Sequence, residues 1–401
     1  MDKYSSVERY PQATVQHTRA LTLNTALHAK HLANGAQMEQ QGGWIRPLYY
    51  GYAHKRQASV LSEALNVRRN VGMLDISTLG CIHVRGVDAV KLLDWAYTGR
   101  FSTLSLERAK YVVMTNDSGI VTDDGLVCRL KQDEFWLTTT TRGLKQVMDQ
   151  LMRIVESEQF NVSVNDVTTD YAAINLTGPN ARHVLAELVP LAAIENDKFP
   201  YMNHRLMAVL GFSARIIRVG FVGELSYEIH VETQHAEALW DALMAAGKTM
   251  KIRPFGLLAQ RMLRLEKGHM IIGCDTTLSS TPYELSLGDL VDLCKDNFIG
   301  KQSLLNLQNT STQLLVGVRI FSDDKPESLG IPIFSDQGLC GSLRTCDFSP
   351  STGQVIGLAI VDRQYSCAGQ ALAFKSTSGR WERAEVVNMP FYDGDLVRQR
   401  L

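Results

Sequence analysis

The sequence lacks the short signatures that usually announce a reaction. No GxGxxG follows a strand pattern, so the usual mark of a dinucleotide domain is missing. There is no Walker A loop, no HExxH, no DxDxDG calcium loop and no GxSxG elbow. Seven cysteines occur, at 81, 128, 274, 294, 340, 346 and 367, and no two form CxxC. An odd, scattered set argues against a disulfide framework or a cysteine zinc cluster. No apolar run approaches the roughly 18 residues of a membrane span. The opening MDKYSSVERYPQATVQHTRALT has no stretch apolar enough for a signal peptide. An excess of one charge is missing too: Lys plus Arg number 41, Asp plus Glu 42, net −1. Neither a nucleic-acid partner nor a membrane partner is expected, and a cytoplasmic location is the default.

What is present is an ordinary globular composition, 45% hydrophobic and 21% charged over 401 residues, enough for two or three domains. One pattern occurs twice. IHVRGVDAVKLLDWAY (82–97) and AAINLTGPNARHVLAELV (172–189) each read as strand, glycine turn, polar cap and helix. Asp88 and Asn180 are the expected N-caps, whose side chains can accept first-turn N–H groups. Leu92, Leu93 and Ala96 form one buried stripe, and Val184, Leu185 and Leu188 the other. An internal duplication is the reading. Strands are expected at 109–116, 125–130, 134–141 and, paired about a glycine turn, within 215–232. Helices are expected at 21–33, 55–70, 143–155, 235–247 and 255–268. Beyond about 310, short strands alternate with Gly, Ser, Asp and Pro turns and no long helix is evident. A small all-β domain is expected there.

Two stretches carry chemical promise. GIVTDDGLVCRL (119–130) sets Asp123 and Asp124 side by side in strand material. Adjacent strand residues face opposite sides, so the pair cannot easily share a metal ion. One of them faces inward and needs a partner or a ligand. RVGFVGELSYEIHV (218–231) places Glu224 at a turn before a strand. Alternation puts Tyr227, Ile229 and Val231 on an apolar face, and Ser226, Glu228 and His230 on a polar one that reads as exposed. A buried Glu224 would need amine or amide-like N–H partners. Arg261, Arg264, Glu266 and Lys267 read as surface charges at a helix end.

These motifs resemble the folate-dependent aminomethyltransferases, the family of the glycine-cleavage T-protein. The likeness spans nearly the whole chain. GMLDISTLGCIHVRGVDAVKLLD, VGELSYEIHV, LRLEKG, GIPIFSDQG, SPSTGQVIGLAIVD and PFYDGD carry it in order. GGWIRPLYY, FSTL, DDG, the TTTT run and LEKGHMIIGCDT are most similar to one subgroup, the C-terminal folate domain of the heterotetrameric sarcosine oxidase alpha subunit.

The resemblance implies an α+β, three-domain cloverleaf: two duplicated α/β subdomains intertwined in a body (1–307), then a C-terminal β-barrel (308–401). It implies tetrahydrofolate as cofactor and one-carbon transfer, methylene or methyl, from a small methylated amine or iminium. A separate flavoprotein oxidase is the implied partner if the chain serves an N-methyl amine oxidase complex. A non-enzymatic folate-binding role is the remaining alternative. Asp124 matches the family's catalytic aspartate, with Asp123 as runner-up. Glu224 matches the residue that bonds the pterin edge. Tyr111 is implied near the ring or the aspartate, and Tyr227 and Glu228 as supports of the pocket. Two positions depart from the family. Thr140 stands where the T-protein has an asparagine. Gln260 stands where it has an arginine, with Arg261 one step on. The second departure argues against a dihydrolipoyl protein substrate.

Overall fold

A computed structural model describes residues 22–322, 330–376 and 378–401. Residues 1–21, on which the leader expectation rests, lie outside them. No helix among the described residues is long and apolar enough to cross a membrane.

The fold is α+β, with two α/β subdomains and a closed barrel. The first copy of the repeat, strand Gly80–Arg85 and helix Ala89–Ala96, lies in a five-stranded sheet. The second, strand Tyr171–Thr177 and helix Ala181–Ala186, lies in a six-stranded sheet. The two turns match in detail. Gly86 and Gly178 have φ of 151° and 130°. A Cβ at either would strike a backbone carbonyl oxygen, that of Asn161 at 2.4 Å or of Asn70 at 2.6 Å. Only glycine fits both the torsion and the approach. The capping expectation needs one correction. Asp88 and Asn180 hold the N-cap positions, yet neither side chain bonds a first-turn N–H. The Asp88 carboxylate instead accepts from the Asn161 N–H at 2.9 Å, just past helix Leu144–Glu158.

Each large sheet buries one face under its own helices. In the five-stranded sheet Ile82, Val84, Val112, Met114 and Val127 pack on helix residues such as Leu92, Leu93, Val147 and Leu151. In the six-stranded sheet Ile174, Leu176, Tyr227 and Ile229 pack on Val184, Leu185, Leu239 and Leu243. The opposite faces meet each other in a cluster of Cys81, Ala109, Cys128, Trp136 and Ile217.

The barrel is buried on two sides. Along Gln313–Ile320, Val316, Val318 and Ile320 face its interior, while Leu315 faces the body. Along Gln354–Asp362, Val355, Ala359 and Val361 face inward, while Ile356, Leu358 and Ile360 face outward. These outward residues join Val113, Leu265, Met270 and Leu285 of the body in one cluster. VIGLAIV is therefore apolar at every position because both faces of the strand are covered.

Candidate active site

The aspartate strand, Val121–Lys131, pairs antiparallel with Ala109–Thr115. Asp124 lies opposite Val113, and Asp123 opposite Met114. Met114 belongs to the helix-covered core, and Val113 to the cluster where body and barrel meet. The two carboxylates thus leave the strand on opposite faces, as strand alternation demands.

Asp124 is half-buried. Its carboxylate accepts a hydrogen bond from the Tyr111 hydroxyl at 2.6 Å. Burial lifts its pKa to about 6, against the lowering effect of the Tyr111 bond. Among the described residues no ion pair includes it. Asp124 is thus partly accessible yet strongly desolvated, since open solvent would hold a carboxylate near its ordinary value. Desolvation, and then the charge of Asp124, push the half-buried Tyr111 phenol well above its usual value.

Asp123 is 2% exposed and faces the start of helix Leu144–Glu158. The Thr140 hydroxyl donates to it at 2.5 Å and the Thr140 N–H at 3.3 Å. Burial raises its pKa to about 7, opposed by the Thr140 hydroxyl and reinforced by the charge of Asp124. Thr140, matched by resemblance to a folate contact, has its hydroxyl committed to Asp123 in this structure.

Glu224 is 1% exposed and sits in a different hydrogen-bonded group. One oxygen accepts from the Arg68 guanidinium at 3.2 Å and the Tyr392 hydroxyl at 2.8 Å. The other accepts from Arg398 at 3.4 Å. Burial raises its pKa, while Arg68, Tyr392 and Arg398 pull it down. Arg68 also donates to Glu266 at 2.9 and 2.6 Å. Glu266 in turn accepts from Ser349 and Ser351 of the barrel, at 2.6 and 2.8 Å. Lys267 is buried beside this group, 3.8 Å from Asp393, and desolvation lowers its pKa.

Several expectations are corrected here. Tyr227 makes no hydrogen bond to Asp124 or Glu224 among the described residues. It is fully buried in the helix-covered core, stacked on Phe199, and its hydroxyl accepts from Arg182 at 3.0 Å. Glu228 and His230 are buried rather than exposed, because the second sheet covers the polar face of their strand. Glu228 Oε2 lies 3.6 Å from His230 Nε2, and the Trp136 ring meets His230 edge-on. Arg264, Glu266 and Lys267 are buried rather than surface charges, since their helix runs beneath the barrel. Arg264 pairs with Asp275 at 2.5 Å. Arg261 alone of that group points outward, to Gln41 at 2.9 Å.

Arg68, Tyr392 and Arg398 were missed from sequence. The latter two reach Glu224 across separations of 168 and 174 residues. Arg68 did leave a signal: Val60, Ala64, Val67 and Arg68 share the buried face of helix Arg56–Arg69, so an arginine occupies a core stripe.

Residues 27–295 match the GCVT N-terminal domain, and residues 314–393 match the glycine cleavage T-protein C-terminal barrel domain. The chain belongs to the glycine cleavage T-protein family. Among relatives, the aminomethyltransferase of Thermotoga maritima is 32% identical over 375 residues, covering 94% of this chain and 99% of its own. Sarcosine oxidase subunit alpha from Corynebacterium sp. strain P-1 is 34% identical over 367 residues, 87% of this chain. The same subunit from strain U-96 is 34% identical over 394 residues, 94% of this chain. The chain spans 37% and 40% of the length of those two subunits. In structure it is similar to the glycine cleavage system aminomethyltransferase T from Bartonella henselae. The TM-score is 0.83 at 25% identity, covering 93% of this chain and 99% of that one. The T-protein family thus accounts for the cloverleaf, body and barrel together.

Proposed function

We propose that this chain transfers a one-carbon unit, methylene or methyl, from a small methylated amine or iminium to tetrahydrofolate. The observation that carries the reading is Asp124: a partly accessible, desolvated carboxylate, without an ion-pair partner among the described residues, raised to about 6 and held by the Tyr111 hydroxyl at 2.6 Å. That chemistry fits a reduced pterin and an amine donor, both of which bring N–H groups and developing positive charge. Bound tetrahydrofolate would supply the nitrogens that accept the one-carbon unit. Asp124 would orient the N–H edge, stabilise cationic character, and exchange a proton near neutral pH. Tyr111 would keep Asp124 pointed and partly ionised. Glu224 fits a pterin edge less readily as found, since both its oxygens already face protein donors. Its second oxygen, with one donor at 3.4 Å, keeps acceptor capacity, so a pterin N–H would bond there or displace Tyr392 or Arg398.

A second reading is favoured by the sarcosine oxidase subunits, of which this chain matches about two fifths. In that reading the chain is the folate-binding part of a flavin-dependent N-methyl amine oxidase complex, and a separate flavoprotein delivers the iminium. Both readings need folate binding. Calorimetric titration with tetrahydrofolate on the wild type, D124N and E224Q tests them, and absence of binding by the wild type would sink both. A screen of methylated amines with and without an added flavoprotein oxidase separates the two. Turnover on the amine alone supports direct demethylation.

A further inference from the structure

Asp123 has no part in the chemistry proposed above, yet it is the most completely enclosed carboxylate of the aspartate strand. Helix Leu144–Glu158 begins poorly. Gly143 holds its N-cap, no side chain caps it, and its first turn has no acidic residue. A helix start carries partial positive charge and unpaired N–H groups. Asp123 supplies the missing acceptor from the neighbouring strand. Its carboxylate takes both the hydroxyl and the N–H of Thr140, at 2.5 and 3.3 Å. The Thr140 hydroxyl in turn accepts from the Gly143 N–H at 3.0 Å. Gly143 is shaped for this contact, since a Cβ there would lie 2.3 Å from an Asp123 oxygen.

We infer that Asp123 is the positioning residue for Asp124. It clamps the turn before the helix through Thr140, and so fixes the strand backbone from which Asp124 projects to the opposite face. Consecutive strand residues share one peptide plane, so a shift of the backbone at Asp123 carries the Cα of Asp124 with it. The inference rests on the role proposed for Asp124. The titratable groups that interact electrostatically with Asp123 are Asp124 and Tyr111, both on the other face of the strand pair, and Tyr97 past helix Ala89–Ala96.

The test follows the Asp124 carboxyl carbon by NMR in chain labelled with 13C-aspartate, in the wild type, D123N, T140V and T140S. Tetrahydrofolate affinity is measured by calorimetry on the same samples. T140V is the discriminating variant, because it keeps both carboxylates and removes only the hydroxyl that links Asp123 to the Gly143 N–H. The expected result is a cooperative, folded protein in which the Asp124 titration midpoint shifts. Folate binding weakens about tenfold, the scale of one lost hydrogen bond. T140S restores both. D123N, which weakens the same clamp, should shift the Asp124 midpoint as well. If D123N fails to fold, T140V decides alone. An unchanged Asp124 titration and unchanged folate affinity in T140V would overturn the inference. If the wild type binds no tetrahydrofolate, the proposed function fails, and the carboxyl titration still decides whether Asp123 positions Asp124.

Discussion

The Tyr111 hydroxyl donates to Asp124 over 2.6 Å, from one strand to its neighbour and on the face away from the helices. A phenol that donates to a carboxylate stabilises the ionised form. Tyr111→Phe should therefore raise the Asp124 pKa further above about 6, by about one unit. The ionised fraction at neutral pH would fall, and the acid limb of a rate profile would move to higher pH. Titration of the 13C-labelled carboxyl in the free protein measures the first effect without any donor. A midpoint that stays put or drops would remove Tyr111 from the proposed site.

Burial lifts Asp123 to about 7, so the folded state holds a proton there that the unfolded chain has lost. The sign follows from linkage. This group contributes stability that is fully present below pH ~4 and is lost as pH rises through about 7. Glu63, raised to about 7 by burial, acts in the same direction. His204 and His269, held down at about 4 by burial, act oppositely between pH ~4 and ~6.5. The comparison of D123N with wild type isolates one group. D123N should gain on the wild type by on the order of a few kcal/mol between pH 4 and pH 8. Urea unfolding at those two pH values measures it, and a difference independent of pH would refute the buried, protonated Asp123.

Much of the architecture was legible because it is local. The repeated strand, glycine and helix pattern depends on two glycine torsions that no other residue adopts easily, and the strand expected over 125–130 lies within the longer strand Val121–Lys131. The face assignment of the aspartate doublet followed from strand geometry alone. What failed was burial wherever two layers meet. Glu228 and His230 alternate with apolar neighbours as an exposed edge would, and nothing local shows that a second sheet covers them. Arg264, Glu266 and Lys267 look like a solvated helix end until the barrel is placed above them. Arg68, Tyr392 and Arg398 meet at Glu224 only through tertiary folding, which periodicity does not encode.

Arg68 is the cation of a buried hub that joins three parts of the chain. It serves Glu224, Glu266 and the Val222 and Leu263 carbonyl oxygens, and Glu266 carries the link on to Ser349 and Ser351. Arg68→Ala should leave two buried carboxylates without their shared cation, a loss of about 3–5 kcal/mol. Arg68→Lys should recover little, because one ammonium cannot reproduce the planar fork. Equilibrium unfolding in urea checks both variants. A loss under about 1 kcal/mol would mean the hub behaves as a surface pair.

Gly125 follows Asp124, and a Cβ there would lie 1.9 Å from the Thr138 carbonyl oxygen. That oxygen belongs to the neighbouring strand, so it cannot swing aside as a side-chain tip would. Gly125→Ala should push the two strands apart beside Asp124 and cost about 1–3 kcal/mol. Hydrogen exchange should show faster opening at Leu126 and Thr139. Exchange rates at wild-type level would show that the strands tolerate the methyl group.

Tyr392 competes for the carboxylate that the resemblance assigns to the pterin edge. Its hydroxyl occupies a Glu224 oxygen at 2.8 Å, while its ring lies 4.1 Å from the Arg68 guanidinium carbon. Tyr392→Phe removes the competing donor and keeps the ring over Arg68. If Glu224 receives the pterin N–H groups, tetrahydrofolate then displaces one hydrogen bond fewer. Affinity should rise by up to about tenfold. E224Q should lose affinity under the same assignment, because an amide offers only one acceptor oxygen. Calorimetry on the two variants and their double mutant resolves the roles. A gain in Y392F that vanishes in the double mutant assigns the effect to Glu224. A loss of affinity in Y392F would instead make the Tyr392 hydroxyl a contact of the ligand itself.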